Sequence, residues 1–182
     1  MALLRGCLFA AALTVLAASA AGQPLAGEYE VKAAYLLNFA RFVEWRADIL
    51  PAGAPLQIGI VGKHSFGRAL ENVLRGKLVN GHPIQLRQLQ WTDYLMDCHI
   101  VFISAAEERH LDEIFYRLGN RSVLTVSDID RFSFRGGIIE FQMVGSRVRF
   151  DINRSRAADA NLTISSKLLN VARAVHEDKA VQ

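Results

Sequence analysis

Nucleophiles, bases and metal ligands are scattered along this chain rather than gathered. The five histidines, His64, His82, His99, His110 and His176, form no H-x-x-x-H pair, and none lies at a zinc-site spacing from a cysteine. His99 does follow Cys98, but adjacent residues of a strand point to opposite faces and make a poor chelate. Ser146 follows a glycine, yet Val144-Gly145-Ser146-Arg147 lacks the G-x-S-x-G pattern of a nucleophile elbow. Gly62-Lys63 with Gly67 has the wrong order for a phosphate loop. The acidic groups Glu107-Glu108 and Asp128-Ile129-Asp130 read as a helix start and a solvated turn. Three sequons, at Asn120, Asn153 and Asn161, matter only where the host glycosylates exported proteins. No catalytic constellation, metal set or cofactor motif emerges, and the chain is predicted to bind rather than to catalyse.

The elements that would position any site begin with a predicted leader. Arg5 precedes an apolar run from Leu8 to Ala18, followed by small residues at Ala18-Ser19-Ala20-Ala21, the order of a secretory signal. The run is shorter than the ~20 residues a spanning helix needs, and Cys7 lies before the apolar core, where a lipid-anchor cysteine does not. Residues 1–21 are therefore expected to be a signal peptide and residues 22–182 a single exported domain of roughly 160 residues, enough for one core. Hydrophobic residues make up 51% and charged residues 21%, an ordinary globular composition. The net charge of +3, one unit of it Arg5, supplies no electrostatic case for nucleic acid or for membrane binding. With Cys7 in the leader, Cys98 has no intrachain partner. It is expected to be a small buried hydrophobe, with linkage between two chains as the other reading.

From Glu28 to Trp45 the chain lacks Gly and Pro and reads as a helix. Val31, Ala34, Tyr35, Asn38, Phe42 and Trp45 share one face, and Leu36, Phe39 and Val43 form a second apolar strip. Lys32, Arg41 and Glu44 mark the expected wet edge. A helix apolar on two sides is either sandwiched in its own core or faces a partner. Strands are predicted at Leu56–Val61, Ile84–Leu89, His99–Ser104 and Val123–Val126, with helices at Phe66–Leu74 and Glu107–Leu118 between them. This alternation predicts an α/β fold, a largely parallel βαβ sheet flanked by helices. After Gly136-Gly137 the pattern changes to an antiparallel hairpin. Ile139, Phe141 and Met143 alternate with polar residues, as do Val148, Phe150 and Ile152. An even loop keeps both sets on one face, and a Val144-Gly145 turn is preferred because it sets Glu140 against Arg149; the four-residue alternative opposes Glu140 with Asp151. A terminal helix should carry Ile164, Leu168, Val171, Ala172 and Val175 on one stripe, capped by Ser165 or Thr163.

In such sheets ligands sit outside the carboxyl ends of the strands. Lys63, Ser104, Ser127 and Asp128 are accordingly the candidate ligand cleft. A second candidate is Arg131-Phe132-Ser133-Phe134-Arg135, aromatics flanked by arginines, which suits an interface or a loop folding its phenylalanines onto the core. The candidate partner-binding residues are Phe132, Phe134, Ile164 and Leu168.

The helix EYEVKAAYLLNFARFVEW, the double glycine of RGGIIEF, the strand VRFDIN and the terminal LTISSKLLNVAR together resemble the YfiR-like family of bacterial periplasmic proteins, in order and in spacing. That resemblance implies a compact α/β domain, often a homodimer, acting in the periplasm. It implies a partner, the periplasmic sensory domain of an inner-membrane diguanylate cyclase, whose GGDEF output is kept low and with it cyclic di-GMP and biofilm growth. Some relatives carry disulfide-forming cysteines; Cys98 matches one such position, but its chain holds no second mature cysteine. The other readings are a small-molecule sensor or carrier serving a sensor kinase or outer-membrane receptor, and a secreted hydrolase.

Overall fold

The computed structural model describes residues 26–63 and 66–177. The expected leader, residues 1–21, and the turn residues His64 and Ser65 lie outside them. Helix α1 (Ala26–Phe42) runs into strand β1 (Val43–Glu44), followed by β2 (Leu56–Val61), α2 (Ala69–Leu74), β3 (Leu78–Val79), β4 (His82–Leu89) and β5 (Ile100–Ile103). A 3-10 turn over Ala105–His110 leads into α3 (Leu111–Leu118), and then come β6 (Leu124–Ser127), a second 3-10 turn at Phe132–Phe134, β7 (Ile139–Val144) and β8 (Arg147–Asn153). The described residues close with α4 (Arg154–Asp159), β9 (Thr163–Ile164), α5 (Ser166–Leu169) and β10 (Ala174–His176).

Eight strands form one sheet in the order β10-β8-β7-β6-β5-β2-β4-β3, while β1 and β9 pair separately. Strands β4, β2, β5, β6 and β7 are mutually parallel, and β8 returns antiparallel to β7. Strand alternation sends side chains into two cores. Ile58, Ile60, Ile100, Phe102, Leu124 and Val126 face α1 and α2; Val61, Val101 and Ile103 face α3. The parallel α/β architecture expected from the sequence is thus the one observed.

Helix α1 buries Leu36 and Phe39 of the predicted strip together with Ala33, Leu37 and Ala40, while Val43, expected on the same helix, is buried at the start of β1. Its other predicted face is only partly covered: Val31 is 43% exposed, and a groove of about 450 Å³ runs between that face and the hairpin residues Met143 and Val148. Lys32, expected at the wet edge, is buried instead. Its ammonium lies 2.7 Å from Asp128 Oδ2 and 2.6 Å from Glu28 Oε1, and 4.4 Å from the Tyr29 ring centre. A buried cation persists only when paired. Here the pairing staples α1 to the end of β6. Burial lowers the Lys32 pKa, but the attraction and hydrogen bond of Asp128, with help from Glu28, outweigh it and raise the group above its usual 10.5.

The hairpin loop is even, as parity demands, but it is Gly145-Ser146, one residue later than expected. Val144 pairs with Arg147, and Glu140 falls opposite Asp151. Glycine at the first loop position, with φ at +60°, suits a two-residue turn that needs a left-handed residue there. The predicted terminal helix shortens to one turn, α5, with the Ser165 hydroxyl accepting from Lys167 N at 3.3 Å. Beyond it the chain extends into β10, parallel to β8. The double glycine has a steric cause. A Cβ on Gly137 would stand 2.1 Å from the Phe132 ring, and Gly136 holds φ at +105°.

Replacing Lys32 by Met should strand the Asp128 and Glu28 carboxylates and cost about 3–5 kcal/mol in urea unfolding. Adding Asp128→Asn should return a large part of that loss, a coupling that two independent sites do not show. Because the folded pKa of Lys32 is raised, its contribution is complete below 10.5 and disappears as pH climbs through the folded value. The wild type should therefore lose stability on the alkaline side by a limb that Lys32→Met lacks.

Candidate functional site

The strand order reverses at β2, with β4 on one side and β5 on the other, the position where open α/β sheets leave a crevice. The four residues predicted to line it do not share one cleft. Ser104 is buried; its hydroxyl donates a short bond to the Lys63 carbonyl and accepts from Ala106 N at 3.3 Å, capping the 3-10 turn that follows β5. Ser127 is fully buried, donating to Ile103 O at 2.7 Å and accepting from Ile129 N at 3.0 Å. Asp128 is engaged by Lys32 and by the Tyr29 hydroxyl at 3.2 Å. A serine at the end of a parallel strand caps the next turn as readily as it binds a ligand, and these two do so. Lys63 alone of the four lines the cleft that exists. This cleft, of about 540 Å³, has walls from Gln88 to Trp91 and from Glu107 to His110, residues the sequence reading did not join.

His99 is a satisfied core histidine. Gln57 N donates to its Nδ1 at 3.0 Å, and its Nε2 lies 3.3 Å from the Ile49 carbonyl. Burial holds its pKa below the ordinary imidazole value. Cys98, buried and unpaired, packs its sulfur against Gly59, where a Cβ would approach to 2.8 Å. Burial pushes this thiol up, so at neutral pH it offers little thiolate.

A buried polar network organises the C-terminal third. Glu140 and Asp151 face each other across the hairpin with 1% and 0% of their surface exposed. Glu140 accepts from Arg131 N at 2.8 Å, from Ser133 N at 2.9 Å, from the Ser133 hydroxyl at 2.6 Å and from the Gln142 amide through a short bond. Asp151 receives the Arg173 guanidinium through two bonds, from Nε at 2.8 Å and from Nη2. Asn153 donates to Ser133 O at 2.8 Å and accepts from Arg156 N at 2.9 Å, joining the loop to the start of α4. Donors thus surround each carboxylate, and this is how two like charges tolerate one buried face.

The clamp decides where the two loop phenylalanines point. Arg131 is held in a left-handed conformation, φ 56°, with its N–H on Glu140. Phe132 then turns wholly inward, into the core beside α3, and Phe134 turns out with 59% of its surface exposed. Leu168 is also buried, in the opposite core beneath α1, and Ile164 is half-buried, paired with Val43. The predicted four-residue patch therefore reduces to Phe134. Its ring stands 4.2 Å from that of His176 on β10. This strand ends the sheet, carries Val175 at 41% exposure and follows Val171 at 58%. An exposed aromatic beside the last strand of the sheet, whose outer edge has no partner strand among the described residues, gives this end of the molecule its apolar surface.

Residues 29–173 match the YfiR/HmsC-like family. The match spans most of the chain, and the chain belongs to that family. Among solved structures, a conserved domain protein from Vibrio cholerae O1 biovar El Tor aligns with a TM-score of 0.57 at 12% identity. The alignment covers 82% of this chain and 60% of that protein, so the chain spans about three fifths of its length, and the likeness is one of fold.

Glu140→Gln should turn an amide N–H toward backbone donors that now share a carboxylate. The expected loss is about 1–3 kcal/mol for each donor left unpaired. Hydrogen exchange should show it first at the amides of Arg131 and Ser133, while those of β2 and β5 keep their protection.

Proposed function

We propose that this YfiR/HmsC-like protein is a periplasmic regulatory binding protein that restrains an inner-membrane signalling enzyme, a GGDEF diguanylate cyclase, by docking on its periplasmic sensory domain. Family membership across residues 29–173 is the observation that carries this reading. The surface at β10 supports it. Interfaces favour aromatic anchors, and β10, whose outer edge has no partner strand among the described residues, can accept a strand from a partner. The buried network under Phe134 holds that anchor in place before binding, so little ordering entropy opposes docking.

Restraint at a distance needs only unequal affinity for the two states of the enzyme. A preference of about 2.7 kcal/mol for the inactive state shifts their ratio about a hundredfold. No chemical step by the repressor is required. The residues engaged are Phe134, His176 and the outer edge of β10; Phe132, Ile164 and Leu168 contribute by holding the frame.

Deleting the gene should raise cellular cyclic di-GMP, and the wild-type protein should restore it. Affinity capture from solubilised membranes should recover a diguanylate cyclase with a periplasmic domain. Phe134→Asp should lose that capture with a nearly unchanged melting temperature, since the ring is mostly exposed. Phe132→Ala, by contrast, should cost about 3–5 kcal/mol of stability. Light scattering on the same preparations reads the homodimer that the family resemblance implies. Capture that returns no cyclase, together with unaltered cyclic di-GMP in the deletion strain, would refute the reading.

A further inference from the structure

The cleft at the carboxyl ends of β2 and β4 plays no part in the docking surface, and its chemistry is specific. Its charged groups divide unevenly. Of the two acids, Asp93 already accepts from Gln90 N at 2.8 Å, and Glu107 lies 2.7 Å from His110 Nδ1. The two cations, Lys63 and Arg109, are exposed, and among the described residues their side chains have no ion-pair or hydrogen-bond partner. Acids and cations are equal in number, but the cations are the pair whose charged ends carry no partner among the described residues.

One wall is aromatic and rigid. The Trp91 indole lies against the His110 imidazole with ring centres 4.2 Å apart and planes 15° from parallel. Glu107 Oε2 holds the imidazole through its Nδ1, 2.7 Å away. The backbone carrying Trp91 is fixed as well, because the Arg117 guanidinium donates to Trp91 O at 2.6 Å, Thr92 O at 3.0 Å and Asp93 O at 2.7 Å. Three carbonyls on one guanidinium make the loop a preformed wall rather than a mobile tip. Beneath it, Leu89 closes the floor as a buried apolar residue.

We infer that this cleft binds a small planar organic anion, an aromatic or heteroaromatic carboxylate, with its ring on the Trp91–His110 wall and its carboxylate between Lys63 and Arg109. Flat rings prefer offset stacking on such a wall. Carboxylates and phosphates are the anions that Lys and Arg hold by charge-assisted hydrogen bonds, and a carboxylate carried on a flat ring also meets the aromatic wall. The cleft volume of about 540 Å³ lies within the range of small-molecule sites. The site stands on the far side of the sheet order from β10, so it is independent of the docking reading and can hold or fail separately.

The chain carries two tryptophans, which makes the test internal. Trp45 donates its indole N–H to Ser122 O at 3.0 Å, away from the cleft, and serves as the reference. In nitrogen–proton spectra of the mature protein, benzoate and nicotinate should move the Trp91 indole signal saturably and leave that of Trp45 in place. Benzamide, the uncharged isostere, should bind about tenfold or more weaker, the worth of a charged hydrogen bond. Lys63→Gln and Arg109→Gln, both at exposed positions, should each weaken benzoate by a similar factor without changing the melting temperature. Trp91→Leu should remove binding while Lys63 and Arg109 remain. The inference is overturned if neither carboxylate shifts Trp91, if benzamide binds as well as benzoate, or if the two glutamine variants bind like the wild type.

Discussion

Two buried carboxylates shape the C-terminal third of this protein. The hairpin register sets Glu140 opposite Asp151 in the interior, an arrangement that repulsion and desolvation both oppose. It stands because each acid recruits its own donors. Glu140 draws the backbone of the 131–134 loop onto itself, and so sends Phe132 into the core and Phe134 to the surface. Asp151 draws in Arg173 from the chain end. Arg173 N also donates to Phe150 O at 2.8 Å, opening the parallel pairing of β10 with β8. The anchor residue and the edge strand beside it are thus consequences of one pair of buried acids.

The same logic appears on a smaller scale at α1. Its apolar strip explains why the helix lies on the sheet, but Lys32 explains where it stops sliding. A buried ammonium between Glu28 and Asp128 has one acceptable position along the axis. Apolar contacts are tolerant of small shifts, whereas a desolvated ion pair is not. Hydrophobic burial therefore supplies most of the cohesion, and a few paired charges supply registry between the helix, the sheet and the tail.

For the docking role proposed above this division is useful. A partner surface works best when its anchor is already in place, and Phe134 has its backbone fixed by the hydrogen bonds of the loop and its ring set against His176. The cleft beside β2 and β4 shows a parallel design, with Arg117 gripping three carbonyls to hold the wall that carries Trp91. The two surfaces lie at different ends of the strand order, one beside β10 and one beside β4, joined by the parallel strands between them.

Periodicity alone was enough to place the parallel strands, the long first helix, the even hairpin loop and the lone buried cysteine, since each follows from local alternation or composition. What it could not resolve were choices set by partners far along the chain. Gly145-Ser146 and Val144-Gly145 are both allowed two-residue turns, and local charge pairing favours the latter; only the donors around Glu140 and Asp151, from residues 131–133 and 173, make the former stable. The stripe from Ile164 to Val175 is a good helical pattern until Arg173 must reach Asp151, which ends the helix at Leu169 and draws the rest into a strand. Lys32 looks solvated until Asp128 arrives from 96 residues away, and the serines at the strand ends look free until the following turns claim them. Short-range pattern determined which segments are helix and strand; the tertiary structure decided which polar groups are buried, because the cost of desolvating a charge depends on donors that sequence spacing does not reveal.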